Sequence, residues 1–161
     1  MNEIELPIIG LTDLDSNEDY YEGYASINGQ SVHIDVNLDD DVSGKWYKGY
    51  SEYAGKLDEY DKGNHRFIEA RYLQTGIVKE YIDWHMEDMR EEIDKLLDNT
   101  DKELPESDRI LSLIKVERIG FYFDDNNYAT WDYSFGSETT DQILAIITDK
   151  NGDILDVTWE S

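Results

Sequence analysis

Residues 24–38 read YASINGQSVHIDVNL. Val32, Ile34, Val36 and Leu38 alternate with Ser31, His33, Asp35 and Asn37, the period of a strand with one buried face. Asn28-Gly29 precedes this run, a dipeptide that suits a two-residue turn with positive φ at both positions. Residues 20–27 supply the other arm, so 20–38 is predicted to form a β-hairpin. Upstream, Ile4, Leu6 and Ile8 also share one face of a strand, with Pro7 suited to a sheet edge.

Downstream the period changes from two to three and four. Trp46, Tyr50, Tyr53, Leu57 and Tyr60 lie on one stripe, which predicts a helix from 43 or 44 to about 60. Gly63-Asn64 reads as a break, after which a second helical stretch starts near Phe67 and weakens at Gly76. Val78, Ile82, Met86, Met89, Ile93 and Leu96 then predict one helix over roughly 75–98. Leu104-Pro105-Glu106 marks a stop with a short helical turn after it. Strand patterns return at 115–123, 128–135, 142–148 and 154–159, with turn residues at 124–127 and at Asn151-Gly152. The order is β over 3–38, helical over 44–98 and β over 113–160. It predicts a single α+β domain spanning 1–161. The expected architecture is an antiparallel sheet, made of the N-terminal strand and hairpin plus a C-terminal four-strand meander, packed on one face by two or three central helices.

The chain has 161 residues, enough for one core, and its 4 Trp, 12 Tyr and 4 Phe supply much of the area to bury. Its charge is lopsided: 38 Asp+Glu against 14 Lys+Arg give −24. Such a chain repels nucleic acid and anionic membranes and favours cationic partners, so a basic protein is the expected partner. Self-repulsion favours a monomer or a small homo-oligomer. The absence of Cys excludes disulfides and thiolate chemistry. Acidic residues occupy the place where an export signal needs basic ones, and no apolar run reaches membrane-span length, so the expected compartment is the cytoplasm.

No catalytic pattern emerges. His33, His65 and His85 lack metal-site spacing, no Ser sits in a Gly-flanked nucleophile turn, and no Gly-rich loop carries a following Lys and Ser/Thr. Asp149, Asn151 and Asp153 alternate like the start of a calcium loop. The Gly falls at the fourth position instead of the sixth, and a tight turn accounts for the same residues. No cofactor or metal is expected.

Three blocks resemble a bacterial domain family of unknown function made of small acidic α+β proteins: EIELPIIGLTDLD at 3–15, KVERIGFYFDDNNYATWDY at 115–133 and DKNGDILDVTWES at 149–161. Such proteins are similar to immunity proteins of polymorphic toxin systems. The resemblance implies a non-enzymatic protein that neutralises a basic, nuclease-like toxin, and it brings no catalytic residues with it. Acidity and the missing active site fit that reading, because a nuclease surface is basic and charge complementarity speeds association. The candidate partner-binding residues are Asp39, Asp40, Asp41, Glu52, Asp124 and Asp125, with Tyr47 and Trp131 as aromatic anchors. Two other readings stay open: a small enzyme with an unfamiliar carboxylate/His or metal-assisted site, and a cation-binding structural protein.

Overall fold

A computed structural model describes residues 2–161. The hairpin forms as its turn residues require. β3 (Tyr20–Ile27) pairs antiparallel with β4 (Gln30–Asn37), and Asn28 (φ 48°) and Gly29 (φ 84°) take positive φ between them. The C-terminal region forms β5 (Lys115–Asp124), β6 (Asn127–Ser134), β7 (Ile143–Thr148) and β8 (Ile154–Glu160), an antiparallel meander. Upstream, β1 (Glu3–Leu6) and β2 (Gly10–Asp13) make a separate two-stranded ribbon. Positive φ at Ile8 and Gly10 turns the chain back there, so Ile8 does not continue a strand with Ile4 and Leu6.

The six-stranded sheet runs in chain order, β3-β4-β5-β6-β7-β8. It is mixed, which corrects the all-antiparallel expectation. β4 and β5 lie parallel, with His33 beside Arg118 and Val36 beside Phe121. A parallel neighbour needs a crossover connection, and the helices occupy it. Strand alternation cannot reveal direction, because the pleat has the same period either way.

The helices also divide differently. α1 (Trp46–Ala54) stops at Gly55-Lys56, and α2 (Leu57–Tyr72) then runs straight through Gly63-Asn64. Tertiary contact overrides the turn signal there. Asn64 is buried and its amide donates to the Tyr133 hydroxyl, 3.1 Å away, holding the helix on the sheet. α3 (Ile77–Asp88) and α4 (Arg90–Leu97) replace the single helix expected over 75–98. Met89 (φ −129°, ψ 35°) bends the axis between them, and neither Gly nor Pro marks the spot. α5 (Glu106–Ser112) follows Pro105. No helix among the described residues is long and apolar enough to cross a membrane.

One side of the sheet carries Val32, Ile34, Val36, Ile119, Phe121, Trp131, Tyr133, Leu144 and Ile146, all buried. Helix side chains meet this set. Tyr50 and Tyr53 pack edge-on against Phe121, and Tyr81 meets Trp159. The aromatic stripe of the first helical segment is therefore core. Its buried polar ends are paired. The Trp131 indole N–H donates to the Tyr53 hydroxyl at 2.8 Å, which lies 2.6 Å from Thr148 Oγ1. Among the described residues no buried side-chain nitrogen or oxygen lacks a hydrogen-bond partner.

Candidate functional site

The parallel join decides which loops meet. β3 starts where β4 ends, with Tyr20 opposite Asn37. Because β5 runs parallel to β4, it ends at that same end of the sheet, and the β5–β6 and β7–β8 turns follow there. An antiparallel β5 would have sent Asp124 and Asp125 to the far end. Instead one end gathers Asp19, the loop with Asp39, Asp40 and Asp41, the turn with Asp124 and Asp125, and the turn with Asp149 and Asp153. α1 begins at this end too, since Trp46 stacks on Tyr21 with ring centroids 6.1 Å apart and meets Phe123 at 5.7 Å.

Several of these carboxylates shape their own loops. Asp39 Oδ1 accepts from the Asp41 N–H at 2.9 Å, and Asp124 Oδ1 accepts from the Asn126 N–H at 2.8 Å. Asp149 Oδ1 accepts from two backbone donors, Asn151 at 2.9 Å and Asp153 at 3.0 Å. The calcium-like spacing in this turn is thus explained by a side chain that bonds its own backbone. Among the described residues no group of three or more His, Asp or Glu is arranged to hold a metal ion.

Asp39, Asp40, Asp41, Glu52, Asp124 and Asp125 are exposed, and Tyr47 is half-buried beside Trp46. Between the turns lies a recess of about 300 Å³ lined by Phe123, Asp124, Asp125, Tyr128, Asp149 and Lys150. Glu52 belongs to the same neighbourhood. Burial pushes the Tyr128 phenol up to about 12, and the Glu52 charge adds to the shift. Tyr60 is raised by burial and by the charges of Glu59, Asp149, Asp153 and Glu52. Trp131 is a correction. It is 0% exposed and its indole N–H is bound inside the core, so it offers no surface to a partner. A Trp on an alternating strand is equally compatible with either face, and here the register turns it inward. Asp149, Asp153 and Glu59, which join the cluster, were visible in the sequence only as turn or helix-surface residues.

The opposite side of the sheet from the aromatic core carries a second polar group that the sequence reading did not connect. Arg118 reaches across from β5 to Asp35 on β4, with Nε 2.6 Å from Oδ2 and Nη2 2.8 Å from Oδ1. Its Nη1 lies 3.3 Å from Asp132 Oδ2 and its Nη2 also donates to the Tyr122 hydroxyl at 2.8 Å. Burial works against the guanidinium charge, but the Asp35 and Tyr122 bonds outweigh it and raise its pKa. Burial pushes the Asp132 carboxyl up, and Arg118 pulls it partly back. Four of the five guanidinium N–H groups are thus bound within the protein, which makes this a structural clasp. His85 is a core residue. Its Nδ1 lies 2.8 Å from the Tyr81 carbonyl, so Nδ1 carries the proton, and Nε2 accepts from the Thr140 hydroxyl at 2.9 Å. No family model, no curated protein and no solved structure matches the chain.

Proposed function

We propose that the chain is a non-enzymatic protein-binding module, an immunity protein that neutralises a basic, nuclease-like toxin in the cytoplasm. The observation that carries this reading is the gathering of three acidic loops at one end of the sheet, which bear the exposed Asp39, Asp40, Asp41, Asp124 and Asp125, while Trp46 at the start of α1 meets Tyr47 and Phe123 at the same end. A phosphate-binding surface is basic, and a dense acidic face with aromatic neighbours complements it. The net charge of −24 adds long-range attraction that speeds encounter.

The test uses the proteins encoded immediately beside this chain, purified and mixed with it at 50 mM and at 500 mM salt. Binding by one of them is expected, with an association rate that falls steeply with salt. Replacing Asp39, Asp40 and Asp41 together by Asn is expected to slow association at least tenfold at low salt while leaving thermal stability near wild type. Absence of binding by either neighbour at 50 mM salt would overturn the proposal.

A further inference from the structure

At the end of the sheet opposite the acidic loops, Lys and Arg outnumber acids in the lining of one cavity. This cavity of about 540 Å³ opens between the β3–β4 turn, α2 and the start of β5. Three of the chain's 14 Lys and Arg line it, namely Lys62, Arg66 and Lys115, together with His65. Its lining has a single acid, Asp61, in a chain where acids outnumber bases 38 to 14.

Asp61 is already occupied. Its Oδ1 accepts from the Tyr133 hydroxyl at 2.6 Å and faces His65 Nε2 at 3.4 Å, and its Oδ2 accepts from Asn28 Nδ2 at 2.9 Å. None of Lys62, Arg66 and Lys115 has a carboxylate within 4.0 Å among the described residues. Lys62 and Arg66 are four apart on α2, on one helix face, and Lys115 comes from β5, so the cations approach the cavity from two elements. Ile27, Ile114 and Val116 supply an apolar wall. The volume lies in the range of small-molecule sites, which combine apolar walls with a few polar groups.

We propose that this cavity binds a small phosphate-bearing metabolite, with Lys62, Arg66 and Lys115 around the phosphate and the wall of Ile27, Ile114 and Val116 against its organic body. Arg and Lys recognise phosphate through the guanidinium fork and the compact ammonium charge, and a phosphate dianion can engage three cations at once. The net negative charge elsewhere does not forbid it. At physiological ionic strength exposed charges more than about 8 Å away are largely screened, so the field at the cavity is set by Lys62, Arg66 and Lys115 against Asp61 and Asp58, whose Oδ1 accepts from the Asn28 N–H at 3.0 Å. The inference is independent of the immunity reading, which concerns the other end of the molecule.

The test titrates AMP into the isotope-labelled full-length chain at 0.15 M salt and follows backbone amide resonances, with adenosine and succinate as controls. Saturable shifts on Asn28, Gly29, Gln30, Lys62, Arg66 and Lys115 are expected with AMP. Adenosine and succinate are expected to bind at least tenfold more weakly. Replacing Lys62, Arg66 and Lys115 together by Gln is expected to weaken AMP at least tenfold. All three side chains are exposed, so the fold should survive, and Lys62→Gln alone, expected to weaken AMP threefold or more, provides a second, milder arm. Absence of saturable shifts at 10 mM AMP, shifts spread over other Lys and Arg, equal binding of succinate, or unchanged affinity in the variants would each overturn the proposal.

Discussion

Arg118 holds both oxygens of Asp35 from the neighbouring parallel strand, at 2.6 and 2.8 Å, although the two residues are 83 positions apart. The Asp35 side chain is 2% exposed, and Gly120 leaves room for the guanidinium to cross the sheet. Arg118→Met is expected to lower stability by about 3 kcal/mol, because it leaves a buried carboxylate without its counter-charge. Adding Asp35→Asn should recover part of that loss. Urea unfolding of the two single variants and the double variant checks this, and strictly additive losses would contradict it.

Tyr53 links two buried partners, taking the Trp131 N–H and meeting Thr148. Tyr53→Phe keeps the ring but leaves both partners unsatisfied. A loss of about 2 kcal/mol is expected. Guanidinium unfolding followed by tryptophan fluorescence measures it, and a loss under about 0.5 kcal/mol would show that water takes over the bonds.

His85 is buried neutral, and burial lowers its pKa from the ordinary 6.5. Below pH 6.5 the unfolded chain takes up a proton that the folded chain refuses, so acidification favours unfolding. This contribution is fully present above pH 6.5 and declines by up to about 1.4 kcal/mol per pH unit as pH falls towards the folded pKa. His85→Gln is expected to be less stable at pH 7 but to lose less between pH 7 and pH 5 than the wild type does. Parallel pH profiles of the two proteins would assign the acid sensitivity to another group.

Two glycines with positive φ separate backbone strain from crowding. Gly29 (φ 84°) has open space where a Cβ would sit, whereas a Cβ at Gly152 (φ 80°) would strike the Tyr60 ring. Gly29→Ala is expected to cost about 1 kcal/mol from its backbone alone. Gly152→Ala should cost about 2 kcal/mol or more, since the ring must also move. Thermal melts of both variants compare the two, and equal losses would mean that Tyr60 yields freely.

The strands were legible because their cause is local. Alternation at 31–38 and the Asn28-Gly29 turn fix β3 and β4 without reference to the rest of the chain. Strand direction was not, because the join of β4 to β5 is set by the crossover through the helices. The Gly63-Asn64 break failed for a related reason: the contact of Asn64 with Tyr133 lies 69 residues away and outweighs a local turn preference. Asp39, Asp40, Asp41, Asp124 and Asp125 were recognisable as loop residues, Glu52 lies on α1, and only the topology brings the loops to one end. Trp131 misled because the identity of a residue on a strand does not say which face it occupies.

The parallel pairing of β4 with β5 also has a kinetic meaning. The β3–β4 hairpin and the β5–β8 meander each pair strands adjacent in sequence, whereas joining them closes a loop over residues 38–114. That closure carries an entropic cost of about 4 kcal/mol or more, which must be met before the register of His33 with Arg118 rewards it. The expected order is that the two halves form first and dock afterwards. Loss of a contact across that seam, the Arg118–Asp35 clasp among them, is therefore expected to slow folding more than loss of a contact within either half.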